Sequence, residues 1–270
     1  MSTPYQPVPE SEPVPRPEAP PQVLPREAPA FGFLDLLLIL VGGFFILLIS
    51  QFVALGIARA LPRFSALPIT ELAKQPLVII PAQVVSYVLL IGFIHLLLIA
   101  RYDRGLADLI PFRWPPVNLF ALLGTGVGLA LTINLLERYL PIPKQLPIDD
   151  YFKERSVAFI MLGFGVLIAP FVEELLFRGL IYPVLNRAAG AVVSVIVTSI
   201  LFALLHAGQL AFSWAPLLAL FLVGVVLTLV RARFQSVTAS TLVHMAYNAT
   251  LFGFLLAVTG GFRHMDALTR

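Results

Sequence analysis

From residue 33 onward the chain is a succession of apolar blocks, each about 20 residues long, joined by short polar connections. Blocks of that length match the hydrocarbon thickness of a bilayer. In lipid every backbone N–H and C=O must find its partner within the protein, so such blocks have to be helices that pack together. The expected fold is an all-α polytopic membrane protein, with about seven transmembrane helices in a single bundle enclosing a polar intramembrane site. The spans are expected at 33–57, 77–100, 117–136, 157–182, 191–206, 215–230 and 237–258. Composition agrees, with 59% of residues hydrophobic and only 12% charged. The implied location is an integral, multi-pass position in a membrane, expected to be the plasma membrane, or the inner membrane if the source is prokaryotic.

Outside the blocks, residues 1–30 hold ten of the 23 prolines, four glutamates and two arginines. They read as a disordered, partly polyproline-like tail. The tail lacks the apolar core and small-residue cleavage site of a signal peptide, so the first span is expected to direct insertion. Residues 31–155 read as N-terminal membrane helices followed by an interfacial elbow, PIPKQLPIDDYFKER at 141–155; residues 156–262 read as the helices that carry the chemistry. Together they form one membrane domain. Alternate connections carry eight and nine Lys and Arg residues, a balance that assigns no orientation. A proline-rich tail without a signal peptide favours a cytoplasmic N-terminus. The GTGVG stretch at 124–128 superficially suggests a phosphate loop, but inside an apolar helix it is expected to be a small-residue helix contact.

Several functions are excluded early. Net charge is +3 and the basic residues are scattered, so no surface tracks a phosphate backbone and no nucleic-acid partner is expected. The chain has no cysteine, which rules out disulfides, thiolate ligands, a cysteine nucleophile and cysteine lipidation. Neither HExxH nor GxSxG occurs, so the ordinary zincin and serine-hydrolase readings lose their motif support.

Within the expected spans the ionisable residues are Asp35, His95, Glu173, Glu174, Arg178, His206 and His244, with Asn248 as a polar companion. Each charge costs roughly 3 kcal/mol at a helix centre, so such residues are functional candidates by default. Asp35 lies near the start of its span, where it is expected to reach interfacial water and favour the helix N-terminus. His95 is alone in its span, near the exit to Arg101, and reads as a hydrogen-bonded packing residue or an interfacial one. Glu174 and Arg178 are four apart in the favourable order and should pair. Glu173 lies about 100° round the helix and is left over, free to point into a cavity. A purely structural ion network accounts for Glu174 and Arg178 but leaves Glu173 as an uncompensated cost. Phe202 and His206 share a face, as do His244 and Asn248. Singly, each of these polar residues could be an interhelical hydrogen-bond donor.

Counted from one membrane face at about 1.5 Å per residue, Glu173, His206, His244 and Asn248 lie roughly 12 to 22 Å deep. A buried carboxylate beside an imidazole can hold and deprotonate a water, while a second imidazole and a carboxamide can stabilise an oxyanion. That is a hydrolytic set for an amide bond. Alternatively Glu173, His206 and His244 could bind a divalent metal such as zinc, whose water would be the nucleophile.

The three elements EELLFR at 173–178, FALLH at 202–206 and HMAYN at 244–248 closely resemble the EExxxR, FxxxH and HxxxN motifs of the CPBP family. That family includes type II CAAX prenyl proteases and Abi proteins of bacteriocin processing or immunity. The resemblance implies an intramembrane endopeptidase acting on a membrane-associated, possibly prenylated CAAX-type, protein or peptide. It assigns water activation to Glu173 and His206, the oxyanion site to His244 and Asn248, and supporting roles to Glu174, Arg178 and Phe202. No cofactor is required in the favoured mechanism, since Asn248 is a good oxyanion donor and a poor zinc ligand. The competing readings are a non-catalytic membrane protein for bacteriocin immunity or assembly and, third, an ion-coupled transporter, for which no internal repeat is evident.

Overall fold

The computed structural model describes residues 31–264, and the expected disordered tail lies outside them. Among the described residues every regular element is helical. Six stretches of the described residues are long and apolar enough to cross a membrane. Three come first: α1 (Phe33–Ala60), α2 (Pro76–Tyr102) and α3 (Leu119–Glu137). The fourth stretch, Arg155–Leu205, is 51 residues long. At about 1.5 Å per residue it would run roughly 75 Å if straight, more than twice the thickness of a hydrocarbon core. Gly190 breaks it, with φ 78° and ψ 172°, a conformation that a Cβ would disfavour. We therefore divide it into α4 (155–189) and α5 (191–205), which correspond to the fourth and fifth expected spans. The two fold back on each other, since the rings of Phe177 and Phe202 meet edge to face with centroids 5.4 Å apart. The last two helices are α6 (Trp214–Phe234) and α7 (Val237–Val258).

The turn between α6 and α7 is tight because Gln235 adopts a left-handed φ of 49° and Ser236 caps α7 by accepting the Ala239 N–H at 3.2 Å. The α1 and α2 helices form an antiparallel pair, α3 packs on α7, and α5 packs on α6. The fully buried centre is drawn from most of them: Ile94 and Leu98 of α2, Leu175 and Leu180 of α4, Val223 and Leu227 of α6, and Val243 of α7. Large apolar side chains also cover the outside, Phe120 at 77% exposure and Val192 at 73% among them. A face of that kind suits lipid, and the chain is a multi-pass integral membrane protein.

The glycine-rich stretch of α3 is a helix contact, but only one of its glycines makes it. A Cβ on Gly126 would lie 2.4 Å from the Val243 carbonyl oxygen and 2.6 Å from the Ala246 Cβ, whereas Gly124 and Gly128 face open space. The small-residue pair that α3 presents to α7 is Gly126 with Ala130, which is fully buried. Gly126→Ala is expected to destabilise the bundle by about 3 kcal/mol, because the backbone of α7 cannot yield as a side chain would. Gly124→Ala should be neutral. Thermal unfolding of both variants in detergent checks the contrast.

Three expectations need correcting. Asp35 does not reach water: it is 2% exposed, accepts the Gly32 N–H at 2.8 Å and the Tyr102 hydroxyl at 2.5 Å, and pairs with Arg101 at 2.5 Å. Those partners close the α1 start against the α2 end. The elbow is not irregular throughout, since Pro147–Phe152 forms a 3₁₀ turn and the Ile148 N–H bonds the Gln209 carbonyl at 3.2 Å. Nor is α4 a uniform α-helix. Phe164–Ile168 and Leu175–Ile181 are π-helical, and each segment ends two residues before a proline, Pro170 and Pro183. A proline ring clashes with the carbonyl four residues back, and a wider turn relieves that clash. His95 is exposed and accepts the Leu106 N–H at Nδ1, 3.2 Å away.

Candidate active site

The widened helix α4 projects EELLFR into the bundle centre. Glu174 and Arg178 pair there at 2.8 Å with both side chains at zero exposure. Arg178 uses the rest of its donors on α6, giving Nη2 to the Gly224 carbonyl at 2.9 Å and Nε to the Thr228 hydroxyl at 3.3 Å. Its guanidinium also stacks over the Phe202 ring at 4.7 Å. A buried ion pair is tolerable only when the remaining donors are satisfied in this way. The approach of α6 depends on Gly224, where a Cβ would stand 3.1 Å from the Ser199 backbone of α5.

Phe202 joins the charged and imidazole groups. Its centroid is 5.1 Å from the His206 ring and 5.7 Å from the His244 ring. His206 ends α5 and directs Nδ1 at the Phe202 carbonyl, 3.0 Å away. A carbonyl can only accept, so Nδ1 carries a hydrogen and the ring is fixed with Nε2 turned towards α4. His244 of α7 is anchored in the same manner, with Nδ1 3.0 Å from Glu174 Oε1. The Nε2 atoms of the two rings then face the two oxygens of one carboxylate: His206 to Glu173 Oε1 and His244 to Glu173 Oε2, both at 3.8 Å. At that distance the groups are not bonded to one another. Atoms at that separation can share a bridging water bonded to both.

Glu173, Glu174, Arg178, Phe202, His206 and His244 are thus in direct contact across α4, α5 and α7. Asn248 is placed differently: its amide nitrogen donates to the Gly165 carbonyl of α4 at 2.7 Å. Among the described residues no group of three or more His, Asp or Glu side chains is arranged to hold a metal ion. Several contributors were not read from the sequence: Gly224 and Thr228 as acceptors for Arg178, the Gly165 carbonyl, and Arg231, whose Nε donates to the Arg178 carbonyl at 3.1 Å. Tyr87 is another. It stacks on Phe164 of α4 with ring centroids 5.8 Å apart. The only sequence signal for any of them was the pair of prolines interrupting an apolar helical run.

A family model described as type II CAAX prenyl endopeptidase Rce1-like matches residues 155–250, the segment from the start of α4 into α7. No curated protein and no solved structure matches the chain.

Proposed function

We propose, from the similarity of residues 155–250 to type II CAAX prenyl endopeptidases, that the chain hydrolyses a peptide bond of a membrane-associated, CAAX-type lipidated protein with a water activated by Glu173 and His206. One observation carries the reading: a carboxylate without a hydrogen-bond partner among the described residues faces the Nε2 atoms of two imidazoles whose Nδ1 atoms are both tied down. A water bonded to both Glu173 and His206 loses a proton to the carboxylate as its oxygen attacks the scissile carbonyl. A hydrogen at His244 Nε2 and the second amide hydrogen of Asn248 are the donors for the oxyanion. Glu173 then returns the proton to the leaving amine.

The test is cleavage by the full-length chain in liposomes of a quenched-fluorescent peptide carrying a prenylated cysteine. Product released next to the lipidated cysteine is expected, and a peptide of the same sequence without the lipid should be a much poorer substrate. Turnover should also persist after exhaustive chelation. Loss on chelation with recovery on adding zinc would replace the carboxylate-activated water with a metal-bound one held by Glu173, His206 and His244. Absence of cleavage by a folded, well-behaved preparation would remove the hydrolytic reading.

A further inference from the structure

Two carbonyl oxygens of α4 have lost their helical partners, and both are taken up by side chains of other helices. In Phe164–Ile168 the Ala169 N–H bonds the Phe164 carbonyl, five residues back. The next donor in that register belongs to residue 170, which is proline and has no N–H. Gly165 O is therefore left without Ala169, already committed, and without residue 170. The Asn248 amide fills it at 2.7 Å. The second π segment repeats the arrangement. There the Tyr182 N–H bonds the Phe177 carbonyl, residue 183 is proline, and the orphaned Arg178 carbonyl receives Arg231 Nε at 3.1 Å. A buried carbonyl without a donor is costly, so each proline creates a docking point for one polar side chain.

We propose that Pro170 is a positioning residue: by withholding an N–H it exposes the Gly165 carbonyl, which holds the Asn248 carboxamide in one orientation and leaves its second N–H for the reacting carbonyl. An asparagine on a membrane helix has two soft torsions and would otherwise turn to any acceptor within reach. The bond to Gly165 removes that freedom before substrate arrives. The α4 and α7 helices are thereby linked at the level of the site, on the side of Glu173 opposite Arg178 in the chain. The catalytic part of this inference rests on the proposed hydrolysis, whereas the bond it assigns does not.

Pro170→Ala supplies the missing N–H, which competes with Asn248 for the Gly165 carbonyl. The expected result is a fall in kcat of about 10- to 100-fold with KM unchanged. Lactic acid at position 170, the ester counterpart of alanine, has the same methyl group and no N–H; it should restore kcat to near the wild-type value. If the ester is as slow as alanine, the proline ring and not the absent donor is what matters, and the proposal fails. A double-mutant cycle read by thermal unfolding is independent of catalysis. Asn248→Ala should lower the melting temperature by about 2–4 °C in the wild-type background, where Gly165 is orphaned, and by much less beside Pro170→Ala. Equal shifts in the two backgrounds would overturn the assignment. Coupling in a chain that cleaves no peptide would keep the assigned bond and discard the hydrolytic reading.

Discussion

Glu173→Gln is expected to lower turnover of a membrane peptide by about 10²- to 10⁴-fold, the range for removing a general base that also holds the nucleophile, while the protein folds as before. The separation of the two effects follows from the contacts. Among the described residues Glu173 makes no hydrogen bond, and its two neighbouring imidazole nitrogens stand 3.8 Å away. Glutamine has the same shape, so it creates neither a cavity nor an unpaired charge. It does remove the carboxylate that accepts a proton from water. The same exchange at Glu174 should behave differently, because Glu174 accepts from Arg178 at 2.8 Å and from His244 at 3.0 Å in a site with no exposure. Losing that charge leaves Arg178 buried with neutral partners only, so Glu174→Gln should lower stability first and activity as a consequence. Thermal unfolding and turnover measured on both variants distinguish the two glutamates. Equal turnover for wild type and Glu173→Gln would sink the proposed mechanism.

That division between neighbouring glutamates was legible in the sequence because helical spacing alone pairs residues 174 and 178 and leaves 173 unpaired. The spans were legible for a related reason, since block length reports directly on bilayer thickness. Gly190 shows where that reading stops. Only the short stretch 183–190 separates the fourth and fifth expected spans, and a single glycine with positive φ breaks the helix there. Contacts between helices were less accessible, because they depend on tilt and rotation that the pattern of apolar residues leaves open. Thus Gly126 could not be told from Gly124 and Gly128, and Thr228 could not be told from any other threonine in an apolar span. Asp35 was misread for the same reason: its partners Arg101 and Tyr102 lie at the far end of α2. The π segments escaped because the helix was read with 3.6 residues per turn throughout. Pro170 and Pro183 were visible, but their effect is on carbonyls five residues earlier, outside an α-helical register.

The largest loss of stability should come from Arg178→Met. Among the described residues Arg178 is the only arginine or lysine bonded to Glu174, and it also satisfies the Gly224 carbonyl and Thr228 hydroxyl of α6. Methionine fills much of the same volume beside Phe202 and leaves a fully buried carboxylate whose Oε2 already lacks a partner among the described residues. Removing one member of such a pair costs about 3–5 kcal/mol, which corresponds to a fall in melting temperature on the order of 10 °C. If uncompensated charge is the cause, neutralising the other partner should reverse much of it, so Glu174→Gln combined with Arg178→Met should melt well above Arg178→Met alone. Catalysis should not return with stability. His244 depends on the Glu174 carboxylate to anchor Nδ1 and thereby aim Nε2 at Glu173. A neutral amide holds the imidazole more weakly. The double variant should therefore be folded and slow. A double variant as unstable as Arg178→Met would mean that the bonds to Gly224 and Thr228, and not the charge on Glu174, are what the bundle loses. Full activity in that variant would mean that His244 is oriented by its packing against Phe202 and not by the glutamate.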